Sequence, residues 1–330
     1  MTRSMDLGGR RVLVTGGLGF IGSNLAIRCH EAGAQVTVVD ILDAHGGGDE
    51  AHLRGYEQAI AVRDEDLRDE AAIADCLKAQ ELIFHCAGQT SHPYSMDAPL
   101  EDSDMNCRAT LSLLAAARRV CPSARIVYVA SSTQIGSMRQ EPIDEEHPEA
   151  PLDFYSASKS VCEKYLLIFH QVHGLRSSAV RLPNTYGPRG PVDRKDLGFV
   201  NYFIGLAAQS REITLFGDGH QQRNLLYVGD AVDALIAAAL EPRCVGKALF
   251  AAGSRSYTVA ELARTIVEVW GQGTIRQAEW PDARRRIDVG DAVIRGTRLQ
   301  QLTGWSPAVD LRDGLRRTKA YFDELVGASP

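Results

Sequence analysis

Apolar residues fall along this chain in two rhythms. Short unbroken apolar runs, bounded by glycine or polar positions, alternate with longer stretches in which apolar residues return every three or four places. Arg11–Thr15 (RVLVT) is the first run; it is β-branched, ends in glycines and predicts a strand buried on both faces. A helical period runs from residue 21 to about residue 32, and Gly33 closes it. Gln35–Asp40 (QVTVVD) predicts a second strand and residues 59–62 a weaker third. A helix around residues 71–79, a strand at 81–86 (ELIFHC) and a helix at 105–120 follow, the last carrying Arg118 and Arg119 in its final turn. Residues 125–130 (RIVYVA) predict a further strand, and residues 155–170 a further helix. Strands alternating with helices imply an α/β fold of the Rossmann type, a doubly wound parallel sheet covered on both faces.

From Arg181 onward the pattern loosens. Pro183, Gly187, Pro188, Gly190 and Pro191 punctuate an irregular region, and two more helices and a tail containing glycine and tryptophan follow. This organisation reads as a dinucleotide-binding domain over residues 1–180, with 226–250 returning to it. Residues 181–225 and 251–330 read as a smaller α/β substrate lobe. Neither an internal repeat nor a low-complexity tract is visible.

Charge and cysteine usage narrow the function classes. The net charge is −6, and the densest basic cluster, Arg284 to Arg286, has Asp282 and Asp288 close by. That is poor material for neutralising a phosphate backbone, so nucleic acid is not an expected partner. The seven cysteines are dispersed, with neither a Cys-x-x-Cys pair nor a Cys/His spacing that would hold zinc, so no metal site is expected. Dispersed thiols fit a reducing compartment. With neither a secretory apolar segment nor a run of about 18 or more apolar residues, the expectation is a cytoplasmic protein with no membrane contact.

Candidate chemistry begins at Thr15-Gly16-Gly17-Leu18-Gly19-Phe20-Ile21-Gly22, between a predicted strand and a predicted helix. Gly16 permits the tight turn, Gly19 lets the backbone approach a pyrophosphate, and Gly22 lets the helix pack closely on the strand. Phe20 leads into the helix that Ile21 opens, whose unpaired amides and positive dipole end suit phosphates. Asp40 closes the next strand, where its carboxylate can accept from ribose hydroxyls and would repel a 2′-phosphate; no arginine follows it. NAD is therefore expected over NADP.

Tyr155-Ser156-Ala157-Ser158-Lys159 sets a tyrosine and a lysine on one helix face. A tyrosine ordinarily keeps its proton to about pH 10, and a nearby ammonium together with a cationic nicotinamide would lower that. Such a phenolate can take the proton of a substrate hydroxyl while hydride leaves the same carbon. Ser131-Ser132-Thr133 lies at the C-terminal end of a predicted strand, where open parallel sheets bind ligands. A hydroxyl there can hold the reacting oxygen, or simply belong to a hydroxyl-rich turn.

With these pieces in order, the chain resembles the extended short-chain dehydrogenase/reductase family, and more narrowly its nucleotide-sugar epimerases and dehydratases, typified by UDP-glucose 4-epimerase. Asp66-Leu67 matches the pair that meets adenine in the family, and His85-Cys86-Ala87-Gly88 its His-x-Ala-Ala, with Ala87 and Gly88 at the cofactor. Asn106 matches the asparagine of the following helix. The segment from Arg181 to Arg189 (RLPNTYGPR) is similar to the one that puts Pro183 at the cofactor and Asn184 on the substrate diphosphate. Phe216-Gly217-Asp218-Gly219, then Arg223 and Tyr227-Val228-Gly229-Asp230, resemble the nucleotide-binding stretch, whose arginine pairs with the diphosphate. Gly304-Trp305-Ser306-Pro307 matches the tail motif. Arg189 or Arg194 could meet a sugar carboxylate, or either could be a solvated loop charge. The resemblance implies bound NAD, a UDP-, GDP-, CDP- or dTDP-linked sugar, and a homodimer paired through the helices at 105–120 and 155–170. Leu111, Leu114, Val161, Tyr165 and Phe169 supply apolar surface beyond one core stripe on those helices.

Alignment on Gly136 puts the catalytic Ser/Thr position of the family on Ser131. Family dehydratases carry Asp-Glu directly after that residue, and UDP-glucuronate decarboxylases a glutamate two places after it. Here those places are Ser132 and Thr133, so elimination lacks its usual proton donor, which epimerisation does not need. The family's Val-Tyr-Gly is replaced by Gln134-Ile135-Gly136, in a loop that borders the substrate. Epimerisation, most simply at C4, is the leading expectation. The alternatives are a keto-sugar reductase or dehydrogenase with net redox, a dehydratase or decarboxylase, and an NAD-sensing protein without activity.

Overall fold

The computed structural model describes residues 6–43 and 45–327. Seven strands form one parallel sheet in the order β10-β6-β5-β4-β1-β2-β3. They are β1 (Arg11–Thr15), β2 (Gln35–Asp40), β3 (Ala61–Asp64), β4 (Leu82–His85), β5 (Arg125–Ser131), β6 (Arg176–Leu182) and, out of sequence, β10 (Ala248–Phe250). The apolar runs are unbroken because both faces of the sheet are covered. Val12 and Val14 face one layer with α1 (Phe20–Glu31) and α8 (Val228–Leu240). Leu13 faces the other, with α2 (Glu70–Leu77), α5 (Ala109–Val120) and α6 (Phe154–His173). The direction of strand addition reverses between β1 and β4, and the loops leaving the C-terminal ends of the strands beside that reversal line one cavity.

The remaining helices are α3 (His92–Asp97), α4 (Pro99–Ser103), α7 (Phe199–Ala208), α9 (Val259–Trp270), α10 (Asp282–Arg285), α11 (Arg298–Thr303) and α12 (Leu311–Gly327). A second core gathers α7, α9 and α12 around Phe203, Ile204, Leu262, Ile266 and Leu315. Beside it lie two small sheets. One sets β9 (Gln222–Tyr227) between β7 (Asn184–Tyr186) and β11 (Ser256–Thr258), and the other pairs β8 (Glu212–Phe216) with β12 (Thr274–Ala278).

Several expected boundaries move. The third strand starts at Ala61, not residue 59; all four of its residues are exposed, so burial gives it no pattern to read. Residues 105–108 lie in a π turn (Asp104–Arg108) ahead of α5, and α3 and α4 precede it unforeseen. The largest miss lies beyond Arg181, where two helices were expected. Short strands and glycine-rich joints break the period there, and the helices α7 to α12 stand in its place. Asp230 shows what joins the tail to the body: its carboxylate accepts from the amides of Ala308 and Val309, and its carbonyl from the Trp305 indole. The stretch likened to nucleotide binding and the tail motif thus hold each other.

Candidate active site

The cavity at the strand ends measures about 330 Å³. Gly16 opens it at φ +67, and a Cβ there would sit 2.6 Å from the Ala87 amide nitrogen. A Cβ on Gly22 would fall 2.1 Å from the Gly16 carbonyl oxygen, so no side chain fits where α1 meets the loop. The loop is therefore shaped for backbone approach, and the first amides of α1 are left for a ligand. Asp40 is fixed at the end of β2 by accepting from the Leu18 and Leu42 amides. A phosphate cradle backed by a carboxylate fits a dinucleotide without a 2′-phosphate.

His85 explains why its motif takes this form. It is buried between Thr15 and Thr110, at 2.8 Å from one hydroxyl and 3.0 Å from the other. The Thr110 hydroxyl donates to the Asn106 carbonyl, so it accepts from His85 Nε2–H; Nδ1 then accepts from Thr15. A neutral imidazole thus ties β1 to α5 behind the glycine loop. Burial, with the Lys159 charge acting in the same direction, lowers its pKa to about 3.

At the other end of the cavity stand Tyr155 and Lys159 on α6 and Ser131, Ser132 and Thr133 after β5. Asp153 starts α6 by accepting the Ser156 amide at 2.7 Å. Lys159 Nζ donates to the Val129 carbonyl at 3.1 Å and lies 4.9 Å from the Tyr128 ring centre and 5.9 Å from that of Tyr155. Burial lowers its pKa, against the opposing charges of Cys162, Cys86 and Asp102. The buried Asp102 accepts from Gln89, Asn106 and Ser158 and so forms a polar floor behind the lysine. Tyr155 differs from expectation. Burial raises its phenol well above 10, with the Asp153 and Asp102 charges adding to the rise, while a hydrogen bond with Ser131 opposes it. The lysine, its Nζ 5.9 Å from the Tyr155 ring centre, does not offset this.

Gly16, Gly19, Phe20, Ile21, Gly22, Asp40, Asp66, Leu67, Ala87, Gly88, Pro183 and Asn184 also line this cavity. Two residues anticipated for the substrate do not. Arg189 donates to the His52 carbonyl and to Asn24, and lies 5.2 Å from the Tyr321 ring, so it clasps surface segments together. Arg223 is held by Asp288 at 2.7 Å and by the Gln222 and Gly290 carbonyls, away from the cavity. Arg194 pairs with Asp196 and donates to the His45 and Gly46 carbonyls. Gln134, the departure from the usual loop, turns inward to Glu163 at 2.9 Å and does not reach the cavity. His92 does reach it, unforeseen from sequence: one histidine in a loop carries no periodic or spacing signal. Its partner at 2.7 Å is Asp153, the N-cap of α6.

A family model for the NAD dependent epimerase/dehydratase family matches residues 12–251. The chain belongs to that family. NAD is accordingly its cofactor. The UDP-glucuronic acid decarboxylase 1 of Xenopus tropicalis is 29% identical, over 95% of this chain and 72% of that one. A dTDP-glucose 4,6-dehydratase of Streptomyces niveus is 30% identical, over 94% and 92%. The UDP-glucose 4-epimerase of Thermus thermophilus, solved with NAD, superposes with a TM-score of 0.84 at 27% identity, covering 97% of this chain and all of that one. Three reactions thus occur among relatives of similar distance, and family membership gives an NAD-dependent enzyme without choosing between them.

Proposed function

We propose that this protein is a nucleotide-sugar epimerase that inverts C4 through a transient keto-sugar. The observation that carries this reading is the chemistry beside Tyr155. Ser131, Ser132 and Thr133 line the cavity there, whereas its carboxylates, Asp40, Asp43, Glu65 and Asp66, all stand at or just beyond the ends of β2 and β3, toward the glycine loop. Hydroxyls suffice for removing and returning one hydroxyl proton; elimination needs an acid for its leaving group. In this reading Tyr155 takes the proton of the sugar hydroxyl as hydride leaves the same carbon, and Ser131 holds the oxygen. The keto-sugar turns over, and Tyr155 returns the proton when hydride is delivered to the opposite face. NAD, when bound, accepts and returns the hydride and adds a positive charge that favours the phenolate. Lys159 adds its own charge and braces α6 on β5 through Val129. Asn184, on the cavity wall, is the residue left to meet the substrate diphosphate.

The protein acts, in this reading, as a cytoplasmic homodimer. Leu111, Val161, Ile168 and Val172 stand between 37% and 66% exposed on α5 and α6. Leu114 does not join them: it is fully buried in the core of the monomer. Tyr165 and Phe169 are partly buried against that core. The test of function is mass spectrometry of the purified protein for carried-over NAD and nucleotide-sugar, followed by UDP-, dTDP-, GDP- and CDP-hexoses as substrates. Epimer formation by any of them supports the reading, and a 4-keto-6-deoxy or decarboxylated product sinks it.

A further inference from the structure

Arg189 holds a backbone conformation that ordinarily belongs to glycine. Its φ is +65, at the third place of a turn that the Gly190 amide closes on the Gly187 carbonyl at 3.1 Å. A Cβ at positive φ is strained, and such strain persists only where the surroundings hold it. The turn has glycine at both ends and arginine at the strained place. The arginine side chain forms a clasp that glycine could not. Nε donates to the His52 carbonyl at 2.8 Å, and Nη1 to Asn24 Oδ1 at 3.2 Å. The guanidinium carbon lies 5.2 Å from the ring centre of Tyr321 on α12.

Both hydrogen-bonded partners are themselves fastened to the cofactor cradle. Asn24, in α1, donates from Nδ2 to the Phe20 carbonyl at 2.8 Å and to the Pro188 carbonyl at 3.0 Å. His52 donates from Nδ1 to the Leu18 carbonyl at 2.7 Å, and the Asp49 amide donates to the same oxygen at 3.0 Å. The Leu18 amide donates to Asp40. Glycine loop, first turn of α1 and Asp40 are thus tied to one arginine. On the arginine's own segment, just ahead of it in the chain, Asn184 and Thr185 line the cavity.

We propose that Arg189 is a positioning residue that couples the cofactor cradle to the substrate wall, so that an occupied cradle fixes the segment carrying Asn184. The inference rests on the reading of Asn184 as the residue that meets the substrate diphosphate. Restraint of the glycine loop by a bound dinucleotide reaches Asn24 and His52, and Arg189 passes it to the turn at 187–190, which does not line the cavity. Such coupling travels as lost freedom and needs no displacement. It suits an epimerase, because the keto-sugar has to turn over between the two hydride transfers while its diphosphate stays held against the loaded cofactor.

The coupling is read by amide hydrogen–deuterium exchange of the full chain, with and without saturating NAD and with no sugar present. In the wild type, NAD is expected to slow exchange in the glycine loop and also, by about tenfold, at the Gly187, Arg189 and Gly190 amides. Arg189→Gly removes the clasp and relieves the positive φ. In that variant NAD is expected still to slow the glycine loop, while the 187–190 turn exchanges at one rate with and without it. Asn24→Leu cuts the clasp from α1 alone and is expected to lose most of the same difference. A merely structural arginine would change exchange in the turn equally in both conditions, so the NAD-dependent difference decides. No slowing of the turn in the wild type, or slowing that persists in either variant, would overturn the coupling. If Arg189→Gly does not fold, Asn24→Leu decides by itself. Failure here leaves the epimerase reading standing, and failure of the substrate panel leaves the exchange measurement unaffected.

Discussion

A buried phenol and a buried imidazole show how single side chains set this site. Tyr155→Phe keeps the ring that His92 packs against and removes only the ionisable oxygen. Turnover is expected to fall by about 10²–10⁴-fold, roughly 3–5 kcal/mol of transition-state stabilisation. NAD affinity, measured by calorimetry, is expected to stay within a few-fold because the glycine loop and Asp40 are untouched; full activity in the variant would remove Tyr155 as the base. His85 makes a different prediction. It is neutral when folded, its pKa lowered from 6.5 to about 3, whereas in the unfolded chain it takes a proton near 6.5. The unfolded state therefore binds more protons below pH 6.5, so the contribution of His85 is complete above that pH and declines as pH falls towards 3. Urea unfolding is expected to show stability dropping by up to about 1.4 kcal/mol per pH unit from this one group. His52, also lowered by burial, adds to the slope, so the difference between the wild type and His85→Gln isolates the His85 part. Equal slopes in the two proteins would contradict the buried neutral imidazole.

At the scale of elements, legibility followed burial. β1, β2, β4 and β5 are buried on both faces and announced themselves as apolar runs, whereas α6, expected over 155–170, runs from Phe154 to His173 between its caps Asp153 and Gly174. The glycine loop was legible because its chemistry is local: the turn, the approach and the packing all fall within eight residues. Substrate contacts were not, because whether Arg223 reaches a cavity or an aspartate depends on residues far along the chain, here Asp288. The same holds for the loop after Ser131. Gln134 departs from the family pattern, yet its side chain serves the joint between β6 and α6, where Arg181 pairs with Glu163 and Glu149. Arg181 and Glu163 are 3% and 1% exposed. Glu163→Gln keeps the shape and leaves the guanidinium short of its buried partner. It is expected to cost about 3–5 kcal/mol in chemical denaturation. A loss below about 1 kcal/mol would show that Glu149 alone satisfies the arginine.

The whole molecule places one cavity between a sheet that carries the cofactor motifs and a lobe whose own core holds α7, α9 and α12. Val161, Ile168 and Val172 leave apolar area on α6 that a monomer would expose, and light scattering at micromolar concentration is expected to give twice the 35.9 kDa of one chain. A 36 kDa particle there would refute pairing, and Val161→Lys with Ile168→Glu is expected to convert the dimer to that particle. Neither result bears on the chemistry, which turns on where hydride goes. A nucleotide-hexose carrying deuterium at C4, chosen from the panel that yields turnover, tests that directly. If the protein is a C4 epimerase, the epimer keeps its deuterium at C4 and free NADH stays at background. Stoichiometric NADH with a stable keto-sugar, or deuterium moved to C6, would contradict it.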